Sequence, residues 1–313
     1  MLKTILCEIL EIEYPIIQGG MAWISRAELV YAVEKAGAFG FLTSAIFSPE
    51  ELRKEIRRLK EMGGRNFGVN IYLLHPSVEE QIKVCIEEKV KAISTGAGTP
   101  GKYLKELKEN GIKVFPVVSS VSLAKRLEKQ GATCIIAEGM ESGGHIGDVT
   151  TFCLLPQVVD AVSIPVIAAG GIADGRGLVA ALSLGAVGVQ MGTRFIASVE
   201  APVHMSYKQE IINAMERDTV VTGASTGHPV RVIKNKLAME FLKKEKEGAK
   251  PEELETLGMG ALKKAVEGDV EWGSLMAGQI SGLIRDIKPV KNIIEDIIKE
   301  AEETIEKLKG LKK

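Results

Sequence analysis

One histidine of this 313-residue chain lies in a glycine-rich stretch directly after an apolar run. The stretch EGMESGGHIG occupies residues 138–147 and follows the apolar residues 134–137. Glycine permits backbone conformations and close ligand approach that side chains would block, so this sequence is typical of a binding loop at a strand end. A histidine on an apolar helix face would more often be a core residue. Because imidazole titrates near neutral pH, we predict that His145 is a catalytic residue.

Two further glycine turns follow apolar runs later in the chain. Gly170 and Gly171 come directly after residues 165–169, and Gly192 follows residues 188–191. Backbone N–H groups in such turns can bind phosphate, especially where a short helix begins. Either turn alone could be a tight connection without a ligand, but two in consecutive units predict a ligand with a phosphate tail.

Short β-rich runs alternate with helical patterns over the first two thirds of the chain. This alternation predicts repeated βα units and a parallel sheet. Eight units make an α/β protein with a (β/α)8 TIM barrel, whose chemistry lies on the loops after the strands' C-terminal ends. The predicted strands are residues 15–18, 39–42, 67–74, 91–95, 113–118, 133–137, 165–169 and 188–191, and the predicted helices are 26–36, 49–62, 78–88, 102–110, 121–130, 154–161 and 175–184.

The alternation of strands and helices stops after the eighth predicted strand. We assign residues 1–199 to the barrel and residues 200–282 to a smaller, mainly helical inserted subdomain that forms a lid or substrate subdomain. Residues 283–313 carry apolar side chains at helical spacing. We expect them to form a C-terminal helix that packs back on the barrel.

The composition indicates a cytoplasmic enzyme. The 40 basic and 41 acidic residues nearly cancel, so no field attracts nucleic acid or an anionic membrane surface. The N-terminal residues have neither the long apolar core nor the small-residue cleavage site of a signal peptide, so we expect none, and the chain has no apolar run of about 18 residues. The four cysteines have neither CxxC pairing nor metal-ligand spacing, so we expect no metal site.

Several motifs spread over the chain carry a family resemblance. Together they resemble the flavin-dependent enoyl-[acyl-carrier-protein] reductase II, within the superfamily that also holds nitronate monooxygenase and 2-nitropropane dioxygenase. The set is specific for the superfamily and less specific for the branch. The motifs are YPIIQGGMAW (14–23), FGVN (67–70), STGAG (94–98), AEGMESGGHIG (137–147), IPVIAAGGIAD (164–174), VQMGTRF (189–195) and MAGQ (276–279).

The resemblance implies FMN as the cofactor and names residues that would hold it. Gly171, Gly192 and Thr193 would bind the phosphate, and Asn70 would form a hydrogen bond with the isoalloxazine ring. Gly20, Met21 and Ala22 would line that ring. The remaining predicted cofactor contacts are Gly144, Gly170, Gln190, Met276 and Gln279.

The resemblance also implies a reaction in fatty acid biosynthesis. NADH would give a hydride to FMN N5, and reduced FMN would give it to the β-carbon of a trans-2-enoyl thioester on acyl carrier protein. His145 would supply the proton to the α-carbon or polarise the thioester carbonyl. Enzymes of this family often respond to a monovalent cation, and we expect a homodimer.

Two alternatives remain from the sequence. After the second predicted strand, residues 42–49 are bulkier than the glycine-rich turn of the reductases and more like some monooxygenase relatives. A nitronate monooxygenase would use His145 on a nitronate or nitroalkane with O₂. Against this, Ile146 follows the histidine where the nitronate enzymes commonly have arginine. A non-catalytic flavin-binding barrel would have no reason to carry His145 opposite the phosphate loops.

Overall fold

Eight parallel strands close into a barrel in the computed structural model, which describes residues 2–311. Each strand pairs with the next along the chain, and the first pairs with the last to close the barrel. All eight predicted strands are present, so the predicted (β/α)8 barrel is confirmed. The barrel strands are β1 (Ile16–Gln18), β2 (Phe39–Thr43), β3 (Gly68–Tyr72), β4 (Ala92–Gly96), β5 (Lys113–Val118), β6 (Ile135–Glu138), β8 (Val166–Ala169) and β9 (Val189–Met191).

Helices surround the barrel at the predicted places, with ends that differ from the prediction by a few residues. Local capping explains several starts: Ser48 and Glu51 form a reciprocal capping box, and the Asp174 side chain accepts a hydrogen bond from the N–H of Gly177. The predicted helices are α2 (Ala27–Lys35), α3 (Pro49–Glu61), α4 (Val78–Glu87), α5 (Leu104–Glu109), α6 (Val121–Lys129), α7 (Thr151–Ala161) and α8 (Gly175–Ser183). The one-turn helix α9 (Thr193–Ile196) was not predicted.

A short N-terminal helix, α1 (Ile5–Leu10), was not predicted. Its buried Leu6 and Leu10 belong to the same apolar cluster as Ile17, Phe41 and Phe115 of the barrel strands. The phenylalanine rings of this cluster meet edge to face, with Phe41 and Phe115 centroids 6.2 Å apart. The barrel interior at this end is therefore a packed core without room for a ligand.

The inserted segment contains strands as well as helices, so its description as mainly helical is incomplete. Strands β10 and β11 form an antiparallel pair, and β11 continues the sheet by pairing with the two-residue strand β7 (Gly144–His145). In this register Val230 faces His145. The segment's elements are α10 (Met205–Asn213), β10 (Thr219–Thr222), β11 (Val230–Ile233), α11 (Lys236–Lys246), α12 (Pro251–Gly258) and α13 (Ala261–Glu267).

The C-terminal helix α14 (Val290–Lys309) packs on the outside of the barrel. Its buried face includes Ile294, Ile297 and Ala301 and lies against α8 and α2. A helix therefore occupies most of the predicted segment 283–313, while residues 1, 312 and 313 lie outside the described part of the chain. Between residues 2 and 311 no helix is both long and apolar enough to cross a membrane.

A glycine at the contact between α8 and α14 gives a test of this packing. A Cβ at Gly175 would lie 2.3 Å from the Ala301 backbone nitrogen and 2.4 Å from the Ile297 carbonyl oxygen. Gly175→Ala should therefore lower the free energy of unfolding by about 1–3 kcal/mol, measured by urea denaturation.

The matched control is Gly177→Ala in the same helix, where the new Cβ would first meet the Ile172 side chain at 3.2 Å. We expect this variant to be about as stable as the parent, because a side chain can move where backbone cannot and alanine favours the helix. Equal stability of all three proteins would contradict the close packing of α14 on α8.

Candidate active site

A cavity of about 640 Å³ lies beyond the C-terminal ends of the barrel strands. The loops after the barrel strands and the inserted segment form its walls, as expected for a barrel enzyme. A second cavity of about 540 Å³ is lined by residues such as Lys60, Arg65 and Glu88 and contains none of the predicted site residues. The first cavity is therefore the candidate active site.

This cavity brings together all but one of the predicted site residues. The exception is Gln279, which is exposed and begins a short 3₁₀ helix, Gln279–Leu283, outside the cavity wall. Its N–H donates a hydrogen bond to the Glu141 carbonyl, so it helps to hold the loop in place. Predicted residues in the wall are Gly20, Met21, Ala22, Asn70, Gly144, His145, Gly170, Gly171, Gln190, Gly192, Thr193 and Met276.

The loop after β1 is held closely against Asn70. A Cβ at Gly20 would lie only 2.1 Å from the Asn70 Cβ, so the position requires glycine. The Asn70 Oδ1 accepts a hydrogen bond of 2.9 Å from the Ser94 hydroxyl, which orients the amide. The Met21 N–H donates to the Ser25 hydroxyl at 2.8 Å and fixes the turn. These contacts build a rigid, mostly backbone surface on one side of the cavity.

Trp23 in the same loop has an unusual backbone conformation. Its φ is 68°, a region that bulky side chains rarely adopt and that often marks a functional site. The indole lines the cavity, and the Lys263 Nζ of the inserted segment lies 5.4 Å from the ring centroid. The loop after β1 is thus in contact with the inserted segment at the cavity edge.

The two glycine turns after β8 and β9 form a cradle of backbone donors. Within residues 2–311, the N–H groups of Gly171, Gly192 and Thr193 have no hydrogen-bond acceptor. A Cβ at Gly192 would contact only the Met21 Sδ, at 3.4 Å, so the space above this turn is open. Unpaired donors beside open space fit a phosphate group.

A buried acceptor in the cavity wall also lacks a partner. The side-chain Oε1 of Gln190 is buried and accepts no hydrogen bond from the described residues. Leaving such an atom unpaired costs about 1–3 kcal/mol, so a ligand N–H at this point would be favoured. FMN has an N–H donor on its isoalloxazine ring and a phosphate at the end of its ribityl tail, and the residues present therefore fit that cofactor.

His145 enters the cavity from strand β7. Backbone pairing with Val230, and the hydrogen bond from the Ile146 N–H to the Pro229 carbonyl, hold this strand against β11. The imidazole is exposed to the cavity. Partial desolvation by the surrounding protein lowers its pKa, and electrostatic repulsion from His228 lowers the pKa further. The neutral imidazole is therefore favoured at pH 7.

Two carboxyl groups of the same loop were not among the predicted site residues, although both line the cavity. Glu141 accepts hydrogen bonds from the Thr151 N–H at 2.9 Å and the Thr151 hydroxyl at 3.0 Å. Glu138, the last residue of β6, is half-buried, and its burial raises its pKa to about 7 despite an opposing contribution from Ser142. Their position in the sequence close to His145 could have indicated that they belong to the site, but a sequence does not show how far a carboxyl group is buried.

No metal centre is visible in the described residues. Between residues 2 and 311, no three His, Cys, Asp or Glu side chains converge as metal ligands would. Cys7, Cys85 and Cys134 are buried free thiols, and Cys153 is an exposed one.

Comparison with known proteins gives consistent matches over the whole chain. A family model described as nitronate monooxygenase matches residues 3–87 and 77–300. The structure of FabK from Thermotoga maritima is 54% identical, covers 99% of this chain and 100% of that chain, and superposes with a TM-score of 0.96.

Curated relatives are more distant. A probable nitronate monooxygenase of Staphylococcus saprophyticus is 35% identical, over 96% of this chain and 98% of the relative. A Rhodococcus jostii protein named (3aS,4S,5R,7aS)-5-hydroxy-7a-methyl-1-oxo-octahydro-1H-indene-4-carboxyl-CoA dehydrogenase is 34% identical, over 99% of each chain. These relatives are named for different reactions, so the choice between reactions depends on the degree of similarity and on the site.

Proposed function

This chain belongs to the nitronate monooxygenase family, and on that premise we propose that it is an FMN-dependent enoyl-[acyl-carrier-protein] reductase that uses NADH. The observation that carries the proposal is the similarity to FabK, an enoyl reductase of type II, at 54% identity. Relatives named for other reactions reach 34–35%. The motifs that resemble the reductase lie around the same cavity.

The residues of the site would each contribute to binding or proton transfer. When bound, FMN supplies the hydride chemistry. The N–H groups of Gly171, Gly192 and Thr193 would bind its phosphate, and Asn70 and Gln190 would form hydrogen bonds with its ring system. His145 would hold the proton that the α-carbon of the enoyl thioester receives, or polarise the thioester carbonyl.

The substrate would be a trans-2-enoyl group carried on acyl carrier protein, as in fatty acid biosynthesis. A carrier protein is too large for a cavity of about 640 Å³, so only its thioester arm would enter. We propose that residues 200–282 act as the lid over this arm, because Leu262, Met276 and Gly278 contribute to the cavity wall.

We also propose a homodimer, stimulation by a monovalent cation, and a cytoplasmic location, which the composition and the role in fatty acid synthesis both favour. Sedimentation analysis tests the dimer. Assays in potassium-free and potassium-containing buffer of equal ionic strength test the cation.

Steady-state assays separate the two candidate reactions. We expect NADH oxidation that depends on crotonyl or longer enoyl thioesters, because the site provides both a cofactor cradle and the candidate proton donor His145. Oxygen uptake with propionate 3-nitronate or 2-nitropropane should be slow by comparison. The 35% relative named as a probable nitronate monooxygenase favours the second reaction. Rapid nitronate oxidation without enoyl-dependent NADH oxidation would overturn the reductase assignment.

A further inference from the structure

The wall of the active-site cavity contains no permanently positive side chain. Among the described residues that line it, the charged or readily charged groups are Glu138, Glu141 and His145, and there is no lysine or arginine. Lys263 lies over the Trp23 ring at the cavity edge, and Arg231 lies behind the wall, where it interacts with Glu141. Negative charge added to this cavity therefore meets no positive side chain in the wall itself.

The two carboxyl groups are held very differently. Glu141 accepts three hydrogen bonds from the Thr151 backbone and hydroxyl, and Arg231 interacts with it electrostatically. Glu138 lines the same cavity, is half-buried, and forms no ion pair with another described residue. Burial raises the pKa of Glu138 to about 7, against an opposing hydrogen-bond contribution from Ser142, so Glu138 can gain a proton near neutral pH.

On the basis of the proposed function, we propose that Glu138 takes up a proton when the bound FMN is reduced and releases it when the FMN is reoxidised. Hydride transfer from NADH moves two electrons and one hydrogen nucleus. The nicotinamide leaves as NAD⁺, and the site keeps one added negative charge. A solvent proton on a Glu138 carboxylate oxygen cancels this charge.

The proton count of the whole reaction closes with this step. In the second half-reaction the hydride goes to the β-carbon and the α-carbon takes one proton. Glu138 releases one proton at the same stage, when the negative charge leaves the site. One proton from solvent is thus consumed per turnover, which matches the reduction of one double bond by NADH.

Other titratable groups near Glu138 are either paired, distant or distinguishable by mutation. Arg231 of β11 donates hydrogen bonds to the Met140 carbonyl and the Thr219 hydroxyl. From the elements packed on β6, Lys113 begins β5, and Asp160 is near the end of α7, both at the opposite end of the barrel. Glu141 and His145, which interacts with His228, line the same cavity and compete with Glu138 for the proton.

The test measures how the reduction potential of the bound FMN depends on pH in the anaerobic holoprotein. The slope gives the number of protons taken up per two electrons, and the measurement requires neither NADH nor thioester. Between about pH 7 and 9, the parent protein should take up about one proton more than Glu138→Gln, because a neutral amide cannot be protonated there.

Matched variants identify the group that takes up the proton. His145→Gln and Glu141→Gln should keep the extra proton, and Glu138→Asp should keep it with a shifted pH range. Loss of the extra proton in His145→Gln, or its retention in Glu138→Gln, would overturn the proposal. So would a parent protein whose slope corresponds to a single proton throughout, even if Glu138→Gln failed to fold.

The outcome is independent of the substrate. A protein that shows the Glu138-dependent proton but does not reduce enoyl thioesters would contradict the proposed reaction and leave this inference standing. A protein that reduces enoyl thioesters but shows no Glu138-dependent proton uptake would support the proposed reaction and contradict this inference.

Discussion

Replacing His145 with alanine should slow the reduction of an enoyl thioester by about 10²-fold or more, while FMN stays bound. The imidazole faces the cavity from β7, and no other described histidine lines that cavity. Reduction of FMN by NADH should change less, because that half-reaction needs no proton from the imidazole. Stopped-flow measurement of the two half-reactions separates these effects.

The control for this variant is His75→Ala. His75 accepts a hydrogen bond from the Ser77 N–H in the loop after β3 and does not line the cavity, so its loss should leave the rate near that of the parent.

The pH dependence of the same reaction adds a second check. Since burial and His228 lower the pKa of His145 below its ordinary 6.5, the proton-donating form is lost as pH rises through this lowered value. The parent rate should fall over that range, and His145→Ala should lack this fall. Parental turnover in the alanine variant would show that His145 is structural.

Gly192→Val should yield a folded protein that has lost its yellow colour. The backbone φ at this position is −117°, which valine adopts, and the new Cβ would contact only the Met21 sulfur at 3.4 Å. The side chain would, however, project into the space where the N–H groups of Gly171 and Thr193 would bind a phosphate. We expect FMN affinity to fall at least tenfold, about 1.4 kcal/mol, as measured by fluorescence titration.

Gly258→Val is the matched control, because a Cβ there would also contact a single side chain, Phe241, at 3.5 Å. It lies on α12, outside the cavity wall, and should bind FMN like the parent. Full FMN occupancy in Gly192→Val would contradict the assignment of phosphate binding to this turn.

The cofactor released from the parent protein on denaturation should be FMN and not FAD, because the site has one cradle for one phosphate.

The barrel could be predicted because each of its units carries a local signal. Strand β5 was predicted with its observed ends, since residues 113–118 form an apolar run between polar segments and helix ends. Helix α8 was predicted from the helical pattern of residues 175–184 between two strands, and in the structure the Asp174 side chain caps its start. Such signals depend on neighbours in the chain, which sequence shows directly.

The elements that were missed depend on distant contacts. Helix α1 has only six residues, and it is stabilised by burying Leu6 and Leu10 against the barrel core. Strand β7 has two residues and exists because Arg231 and Val230 pair with it. The raised pKa of Glu138 likewise results from burial by separate elements. Gln279 was chosen by its motif, and the fold turns its side chain to the exterior.

The pairing of β7 with β11 has a mechanical consequence. The strand that carries His145 forms backbone hydrogen bonds with the inserted segment, and β10 lies beyond it in the same small sheet. Residues 200–282 therefore cannot swing away as a rigid flap without breaking this pairing or pulling the imidazole with them. An opening movement of this segment that preserves the pairing would therefore also withdraw the candidate proton donor from the cavity.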